Sequence, residues 1–243
     1  AHANSDLFIA LCLTGLGEFE KASSPWQKLY SLGLGGKLGD LAGVGILINT
    51  FYSEDYAAAE DLAKRLSSAS SSAFGKDMAG YLLAWCYLAT GRLPEAKQRI
   101  ARLAANATTA AVAANASVLQ SALDNTPVPR LRSERTAMML SRRLPGAGQL
   151  YGGDAPSALK SLAVNYFAMR QTVEWWSNGF YLGAAFVAWQ GSWRFYRGNI
   201  YNAWKSTSDS NAGHRNAFLS SLEASQTLDL VGLLLTEAAA VHE

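Results

Sequence analysis

Apolar residues in the first hundred positions recur at the spacing of helix faces. Leu83 lies four positions and Ala84 three positions before Tyr87, so the three residues share one face of a helix. Gly91 stands where that helix should end, because the residue after a helix often needs a positive φ. Pro94 falls in the first turn of a second helix, where its missing N–H costs little. The pattern therefore predicts a helical hairpin.

Two earlier segments align with this hairpin at intervals of 37 residues. Small residues recur at Ala22, Ala59 and Ala96, where paired helices would approach closely, whereas Glu54 replaces the glycine in the second copy. One hairpin cannot bury its apolar face alone, so the copies are expected to stack. Favourable i,i+4 ion pairs are expected on the outer faces at Glu60–Lys64, Asp61–Arg65 and Glu95–Arg99.

The small–aromatic–Gly–Ala pattern of these copies resembles the tetratricopeptide repeat over about residues 5–105. The resemblance implies an α-solenoid whose concave surface binds a helix or an extended peptide of a protein partner. We expect Tyr81, Trp85 and Tyr87 to contact that partner. The predicted fold class is all-α, with this hairpin array followed by an aromatic-rich helical segment.

A domain boundary is predicted after an Ala-rich helix, where Pro127 and Pro129 break the helical pattern. It divides the chain into a repeat domain, 1–125, and a helical anchoring domain, 126–243. The second domain opens with arginines opposed by a single acid, Glu134. They form either a solvated helix face or a contact with anionic lipid or an acidic partner. The candidate contact residues are Arg130, Arg132, Arg142 and Arg143.

Aromatic residues are concentrated in the second domain, and the stretch from Trp175 to Trp193 has no formal charge. Tryptophan and tyrosine favour the membrane–water boundary, which makes surface contact with a membrane one interpretation. An aromatic core or a partner interface is the second, and a transmembrane hairpin is the third. The residues expected to contact a membrane or a larger complex are Trp175, Trp176, Phe180, Phe186, Trp189 and Trp193.

Two motifs flank this aromatic stretch, Pro-Gly-x-Gly-Gln-x-Tyr-x-Gly and Phe-Tyr-x-Gly-Asn-x-Tyr-x-Ala. They resemble motifs of a group of bacterial envelope proteins in which repeat hairpins precede such a segment. The resemblance covers about residues 130–212, implies membrane association and assembly, and brings no reaction with it. The residues of the two structural motifs are Pro145, Gly146, Gly148, Gln149, Tyr151, Gly153, Tyr196, Gly198 and Asn199.

Composition narrows the function classes. The 21 Lys and Arg against 19 Asp and Glu exclude a nucleic-acid binder that relies on bulk positive charge. Three histidines and two cysteines leave little for a metal centre, so no metal or cofactor is expected. Cys12 and Cys86 are predicted to be buried thiols. His214 has no recognisable nucleophile beside it and no catalytic motif is present, so the chain is predicted not to be an enzyme.

The chain begins Ala1-His2-Ala3, which has the Ala-x-Ala form of a signal-peptidase site. It predicts a removed signal peptide and a periplasmic protein peripherally associated with a membrane. The functional hypothesis is a scaffold of the bacterial cell envelope that binds a protein partner and docks to a membrane or complex. The alternative is a carrier or sensor of a hydrophobic ligand held among Phe180, Phe186 and Trp189. A homo-oligomer is compatible with either function.

Overall fold

The structure is a computed structural model and describes residues 2–32, 36–190, 194–225 and 229–241. Within these ranges the chain is all-α, 84% helical, with thirteen helices and no strand. The predicted fold class is therefore confirmed, both in its hairpin array and in the helical segment that follows.

The helices form two compact units, one of residues 1–127 with 219–243 and one of residues 128–218. The sequence analysis grouped the C-terminal residues with the second domain. In the structure they belong to the first unit, because the last helix, α13 (Leu230–Val241), packs against α1 and α3. Leu234 and Ala238 of this helix are buried, whereas Leu235 is exposed.

The first unit contains three consecutive helical hairpins and two further helices, α7 and α13. The hairpins consist of α1 (His2–Gly15) with α2 (Phe19–Ser31), α3 (Lys37–Tyr52) with α4 (Tyr56–Ala69), and α5 (Ala73–Ala89) with α6 (Leu93–Asn106). The helix α7 (Ala110–Asn125) packs against α6. The first helices of the hairpins end at residues 15, 52 and 89, which reproduces the predicted 37-residue period.

The turn inside each hairpin has a residue in the left-handed region. These residues are Gly17 with φ 75°, Glu54 with φ 62° and Gly91 with φ 78°. The positive φ predicted for Gly91 is confirmed. Among the described residues Glu54 alone has a positive φ without being glycine, so the register of the repeat imposes this conformation on an unfavourable residue.

The core of the first unit is sealed by close packing between hairpins. Ala22, Ala59 and Ala96 are all completely buried, as their recurrence predicts. The Trp26 ring is also completely buried and lies over Gly45, where an added Cβ would be 2.4 Å from the ring. The Trp26 indole N–H donates to Thr14 Oγ1 at 2.9 Å, so its polar edge is satisfied.

The two cysteines differ in environment. Cys86 is buried, and burial raises the pKa of its thiol to about 12. Cys12 occupies the equivalent position two repeats earlier but is exposed, contrary to the prediction. The repeat position alone therefore does not ensure burial.

The second unit contains α8 (Glu134–Arg143), α9 (Ala147–Gly152), α10 (Ala155–Ser177), α11 (Tyr181–Gln190) and residues 196–218 of α12 (Tyr196–Glu223). Side-chain caps fix two of the helix starts. Ser133 Oγ accepts from the Thr136 N–H, and Asp154 Oδ1 accepts from the Ser157 N–H. The helices α10 and α11 pack against each other as an antiparallel hairpin.

Candidate functional site

The α10–α11 hairpin exposes large apolar side chains along its whole length. Ala158 in α10 and Ala184 in α11 are the residues of these two helices that the structure buries. We call the exposed apolar side chains of the two helices and their turn the hairpin surface. It comprises Leu159, Leu162, Val164, Tyr166, Phe167, Met169, Val173, Trp175, Trp176, Phe180, Tyr181, Leu182, Phe186 and Trp189.

The hairpin surface extends around the helix axis. Val164, Tyr166 and Phe167 point in different directions because successive residues are rotated by about 100°, and all three are exposed. At the far end Leu182 is 90% exposed. Monomeric proteins seldom expose so many large apolar side chains together, so this surface is the candidate functional site.

Aromatic rings pack against one another at the tip of the hairpin. Gly179, with φ 82°, makes the turn between the two helices. The rings of Trp176 and Tyr181 meet edge to face across this turn, with centroids 5.1 Å apart. Trp175 lies over Gly183, where an added Cβ would be 2.7 Å from the ring. The tip therefore presents a packed aromatic cluster.

Five of the six aromatic residues predicted to contact a membrane or a larger complex are described by the structure, and all five are exposed. Their exposed fractions range from 37% for Trp175 to 71% for Phe180. Trp193 lies outside the described residues. The analysis missed the apolar residues of α10 before Trp175, such as Leu162, Phe167 and Met169. Their signal was present in the sequence, because apolar residues occupy every face of the predicted helix.

A buried hydrogen-bond network joins the two sequence motifs at the base of the hairpin. Gln149 is completely buried, and its Nε2 donates to Asn199 Oδ1 at 2.9 Å and to Ser161 Oγ at 3.0 Å. Its Oε1 accepts from Ser141 Oγ at 2.9 Å. Asn199 Nδ2 donates to the Ser141 carbonyl at 2.9 Å, and Asn199 Oδ1 accepts from the Gly146 N–H at 3.0 Å. These bonds connect α8, α9, α10 and α12.

Two motif glycines permit close backbone contact beside this network. A Cβ added to Gly148 would be 2.1 Å from the Ala137 carbonyl oxygen. Gly146 has φ 91°, and a Cβ there would be 2.5 Å from the Ala158 carbonyl oxygen. Gly198 differs, since no heavy atom lies within 4 Å of its hypothetical Cβ, and nothing in the structure explains its presence.

The remaining motif residues fix the surroundings of the network. The Tyr151 hydroxyl accepts from the Ser133 N–H at 3.2 Å, and the Tyr196 hydroxyl donates to the Arg142 carbonyl at 3.1 Å. Gly153 lies under the guanidinium of Arg132, 2.7 Å from where an added Cβ would be. Both motifs therefore build the base that supports the hairpin.

Arginines are exposed around this base, including Arg130, Arg132, Arg142 and Arg143. The acid among them, Glu134, accepts from the indole N–H of Trp204 at 2.7 Å. The charge of the chain is also unevenly divided. Residues 128–218 contain eleven Lys and Arg against four Asp and Glu, whereas the remaining residues contain ten against fifteen. The second unit is thus strongly basic and the first is acidic.

An apolar cavity of about 380 Å³ lies between α10 and α11. Its walls include Pro145, Met169, Val173, Val187 and Tyr196. Phe180, Phe186 and Trp189, the residues predicted to line such a pocket, lie instead on the hairpin surface. The lining of this cavity depends on how α10 and α11 pair, which the sequence pattern alone does not give.

The partner-binding residues predicted in the repeat unit are mostly covered. Tyr81 and Trp85 are 2% and 6% exposed and line a cavity of about 280 Å³ with Tyr52, Glu223 and Leu230. Burial raises the pKa of Tyr81 to about 12. The C-terminal residues therefore occupy part of the surface that was predicted to meet a partner.

Tyr87 is half-buried and is engaged within the repeat unit. The guanidinium of Arg92 lies 4.5 Å from its ring centroid, in a cation–π contact. Arg92 also forms an ion pair with Glu60. Lys64 Nζ lies 2.6 Å from Glu60 Oε1, so the predicted Glu60–Lys64 pair is confirmed. The Arg92 contact lowers the pKa of Glu60 to about 2.

The ranges that the structure describes contain neither a cluster of metal-binding side chains nor a helix able to cross a membrane. In that part of the chain, no group of three or more His, Cys, Asp or Glu side chains is arranged to hold a metal ion. None of the helices described there has both the length and the apolarity needed to cross a membrane.

No family model, curated protein or solved structure matches the chain. The resemblance to bacterial envelope proteins therefore stays a prediction.

Proposed function

We propose that this chain is a non-enzymatic scaffold of the bacterial cell envelope that docks on an anionic membrane surface through the α10–α11 hairpin. Its repeat unit would then present a protein partner at that surface. The observation that supports docking is the hairpin surface, whose large apolar side chains are exposed along both helices and whose aromatic tip from Trp175 to Gln190 is uncharged.

The tip of the hairpin is about as long as the depth to which interfacial segments enter a membrane. Pro145 and Tyr196 line the same cavity as Thr172 and Val187, which places this level of the hairpin beside its base. Beyond Thr172, α10 continues to Ser177, a rise of about 8 Å. Segments that lie in the membrane interface are buried by about 5–10 Å. The tip would therefore reach the boundary between headgroups and acyl chains.

Basic residues are close to the level at which headgroups would lie. The hydrogen bond from Tyr196 to the Arg142 carbonyl brings the end of α8 next to the start of α12. Arg142 and Arg143 are the last residues of α8, and Arg194 lies two residues before the start of α12. On α10, Arg170 lies two residues before Thr172. Each cation near an anionic membrane contributes about 1 kcal/mol of attraction. The excess of basic residues in the second unit supports an anionic rather than a neutral surface.

The proposed partner site uses the repeat unit. One helix of the chain, α13, already packs against the first helices of two hairpins, α1 and α3. A helix is the kind of ligand that such arrays accept in a groove. We therefore propose that a partner contacts the array beside α13, around the cavity that contains Tyr52 and Trp85.

Vesicle flotation tests the docking proposal directly. The full chain should float with vesicles that contain anionic lipid and much less with neutral vesicles. Leu182→Glu, at the most exposed position of the hairpin surface, should abolish flotation because it places a charge in the apolar tip. The matched control is Leu16→Glu, which changes a leucine that is 75% exposed in the first unit and should float normally.

Two results would contradict membrane docking. One is a full chain that stays unbound with anionic and neutral vesicles alike, and the other is equal flotation of the two variants. Sedimentation of the same samples would then show whether the hairpin surface joins copies of the chain.

A second function is favoured by the cavity between α10 and α11. Its volume of about 380 Å³ and its apolar walls suit a hydrophobic ligand such as an acyl chain. Native mass spectrometry of gently purified protein should then reveal a bound lipid. Val173→Trp, which fills the cavity, should remove this ligand, whereas Leu182→Glu should retain it.

A further inference from the structure

A polar cavity lies in the repeat unit and shares no lining residue with the cavity that contains Tyr52 and Trp85. It has a volume of about 340 Å³ and is formed where the end of α4 meets the start of α5 and the end of α6. Its polar lining residues are Ser67, Lys76, Asp77, Arg99, Arg102 and Asn106. Three of these six residues are cations and one is a carboxylate.

The Arg99 side chain is half-buried, and its guanidinium lacks a full set of partners. Its Nε is buried and has no hydrogen-bond acceptor among the described residues. The group lies over Gly80, where an added Cβ would be 3.3 Å from Nη2 and 3.4 Å from Nε. Sequence analysis placed Arg99 in an outer-face pair with Glu95, but no ion pair joins them in the structure. Gly80 gives the guanidinium room to turn inward.

The cations around this cavity lack counterions. Within the described ranges, no ion pair involves Lys76, Arg99 or Arg102. Asp77 contributes a carboxylate to the same lining, and its Oδ2 accepts from the Thr109 N–H at 2.7 Å, so the three cations keep an excess of two positive charges over it. Burial lowers the pKa of Arg99, and repulsion from Arg102 lowers it further. A buried guanidinium N–H without an acceptor is costly, and an anion in this cavity would satisfy it.

We propose that this cavity binds a tetrahedral oxyanion of the phosphate type, held by Arg99, Arg102 and Lys76. Guanidinium groups donate in a planar fork that matches phosphate oxygens, and a lysine adds a point charge. Arg99 would supply its buried donor, while the exposed Arg102 and Lys76 would close over the anion. This site goes beyond the proposed scaffold function and is independent of it.

The net charge of the first unit does not itself attract an anion. The first unit contains fewer basic than acidic residues, so its overall field does not gather anions. Binding would therefore depend on the local cluster. The ligand in the cell would be a free phosphate or a phosphate ester, and the two share the same tetrahedral group.

Titration with inorganic phosphate at constant ionic strength tests the proposal, with calorimetry and ³¹P line broadening as readouts. The full chain should bind phosphate saturably and should not bind chloride. Arg99→Gln should weaken binding by roughly tenfold or more, the loss typical of one charge-assisted hydrogen bond. Lys76→Gln and Arg102→Gln change exposed side chains, so they test the same site without disturbing the core.

The control is Lys21→Gln, which removes the same charge from α2, outside the cavity, and should leave the affinity unchanged. Gly80→Ala should weaken binding, because its Cβ would displace the guanidinium. Glycerol phosphate in place of phosphate distinguishes the two sources, since tighter binding of the ester assigns the site to esters. The proposal is overturned if phosphate does not bind saturably, or if Lys21→Gln weakens binding as much as Arg99→Gln.

Discussion

The two units of this protein use aromatic residues in opposite ways. In the repeat unit, Trp26 is completely buried and its indole N–H is bonded to Thr14. In the second unit, Trp176 and Trp189 are 61% and 64% exposed. The repeats bury apolar side chains to hold neighbouring hairpins together. The hairpin surface has no such covering, so its apolar side chains contribute little to the folded state and remain available for contact outside the unit.

The second unit is instead organised around buried polar side chains. Ser141 and Gln149 are completely buried, and Asn199 is 3% exposed. Their hydrogen bonds are satisfied by each other and by backbone groups, which makes them stabilising in a low-dielectric interior. The comparison indicates that apolar burial holds the repeats, whereas a polar network holds the base of the hairpin.

A matched pair of tryptophan substitutions gives the largest expected effect. Trp26→Ala removes a completely buried ring and should lower the free energy of unfolding of its unit by about 3–5 kcal/mol. Trp176→Ala removes an exposed ring and should change it by less than about 0.5 kcal/mol. Denaturant unfolding of the full chain measures both. Similar losses for the two variants would show that the hairpin surface is covered within the chain.

The polar network gives the next largest effect. Asn199→Ala leaves the Gly146 N–H and the Ser141 carbonyl without their buried partner. The free energy of unfolding of the second unit should fall by about 2–3 kcal/mol, since each unsatisfied buried group costs about 1–3 kcal/mol. Asn202→Ala, at an exposed position one helical turn later, is the control and should be nearly neutral. Equal effects would mean that the network does not stabilise the base.

A pH-dependent contact links neighbouring repeats through Glu60, Arg92 and Lys64. Arg92 and Lys64 hold the pKa of Glu60 at about 2, below its usual 4.5. A lowered carboxyl pKa stabilises the fold above the unfolded value, and this contribution is lost as the pH falls from about 4.5 towards 2. Glu60→Gln should therefore cost about 1–2 kcal/mol at neutral pH.

The pH series itself checks this assignment. The difference in unfolding free energy between the original chain and Glu60→Gln should shrink as the pH approaches 2. Glu20→Gln, on an exposed surface of α2, should follow the original chain at every pH. A constant difference across the series would rule out the lowered pKa as its cause.

The repeats could be predicted from the sequence because each copy contains its own local signals. Gly91 and Pro94 mark a turn and a helix start within a few residues of each other. Contacts between distant segments had no such signal. The burial of Tyr81 and Trp85 depends on the C-terminal residues, and the pairing of Gln149 with Asn199 depends on how α9 and α12 meet. Arg99 turned inward because Gly80, on another helix, leaves space for it.

The smallest expected effect concerns the irregular second repeat. Glu54 adopts φ 62° at the turn where the other two hairpins have glycine. The left-handed conformation costs a non-glycine residue about 1–2 kcal/mol, and glycine regains part of this while increasing the entropy of the unfolded chain. Glu54→Gly should therefore raise the free energy of unfolding by about 0.5–1 kcal/mol, which thermal unfolding detects as a higher Tm. Glu95→Gly makes the same change in the first turn of α6 and should have the opposite sign, because glycine weakens the helix and a favourable negative charge near its N-terminus is lost. If both substitutions destabilise the protein, the positive φ at Glu54 is not the source of strain in the second repeat, and its departure from the repeat pattern needs another explanation.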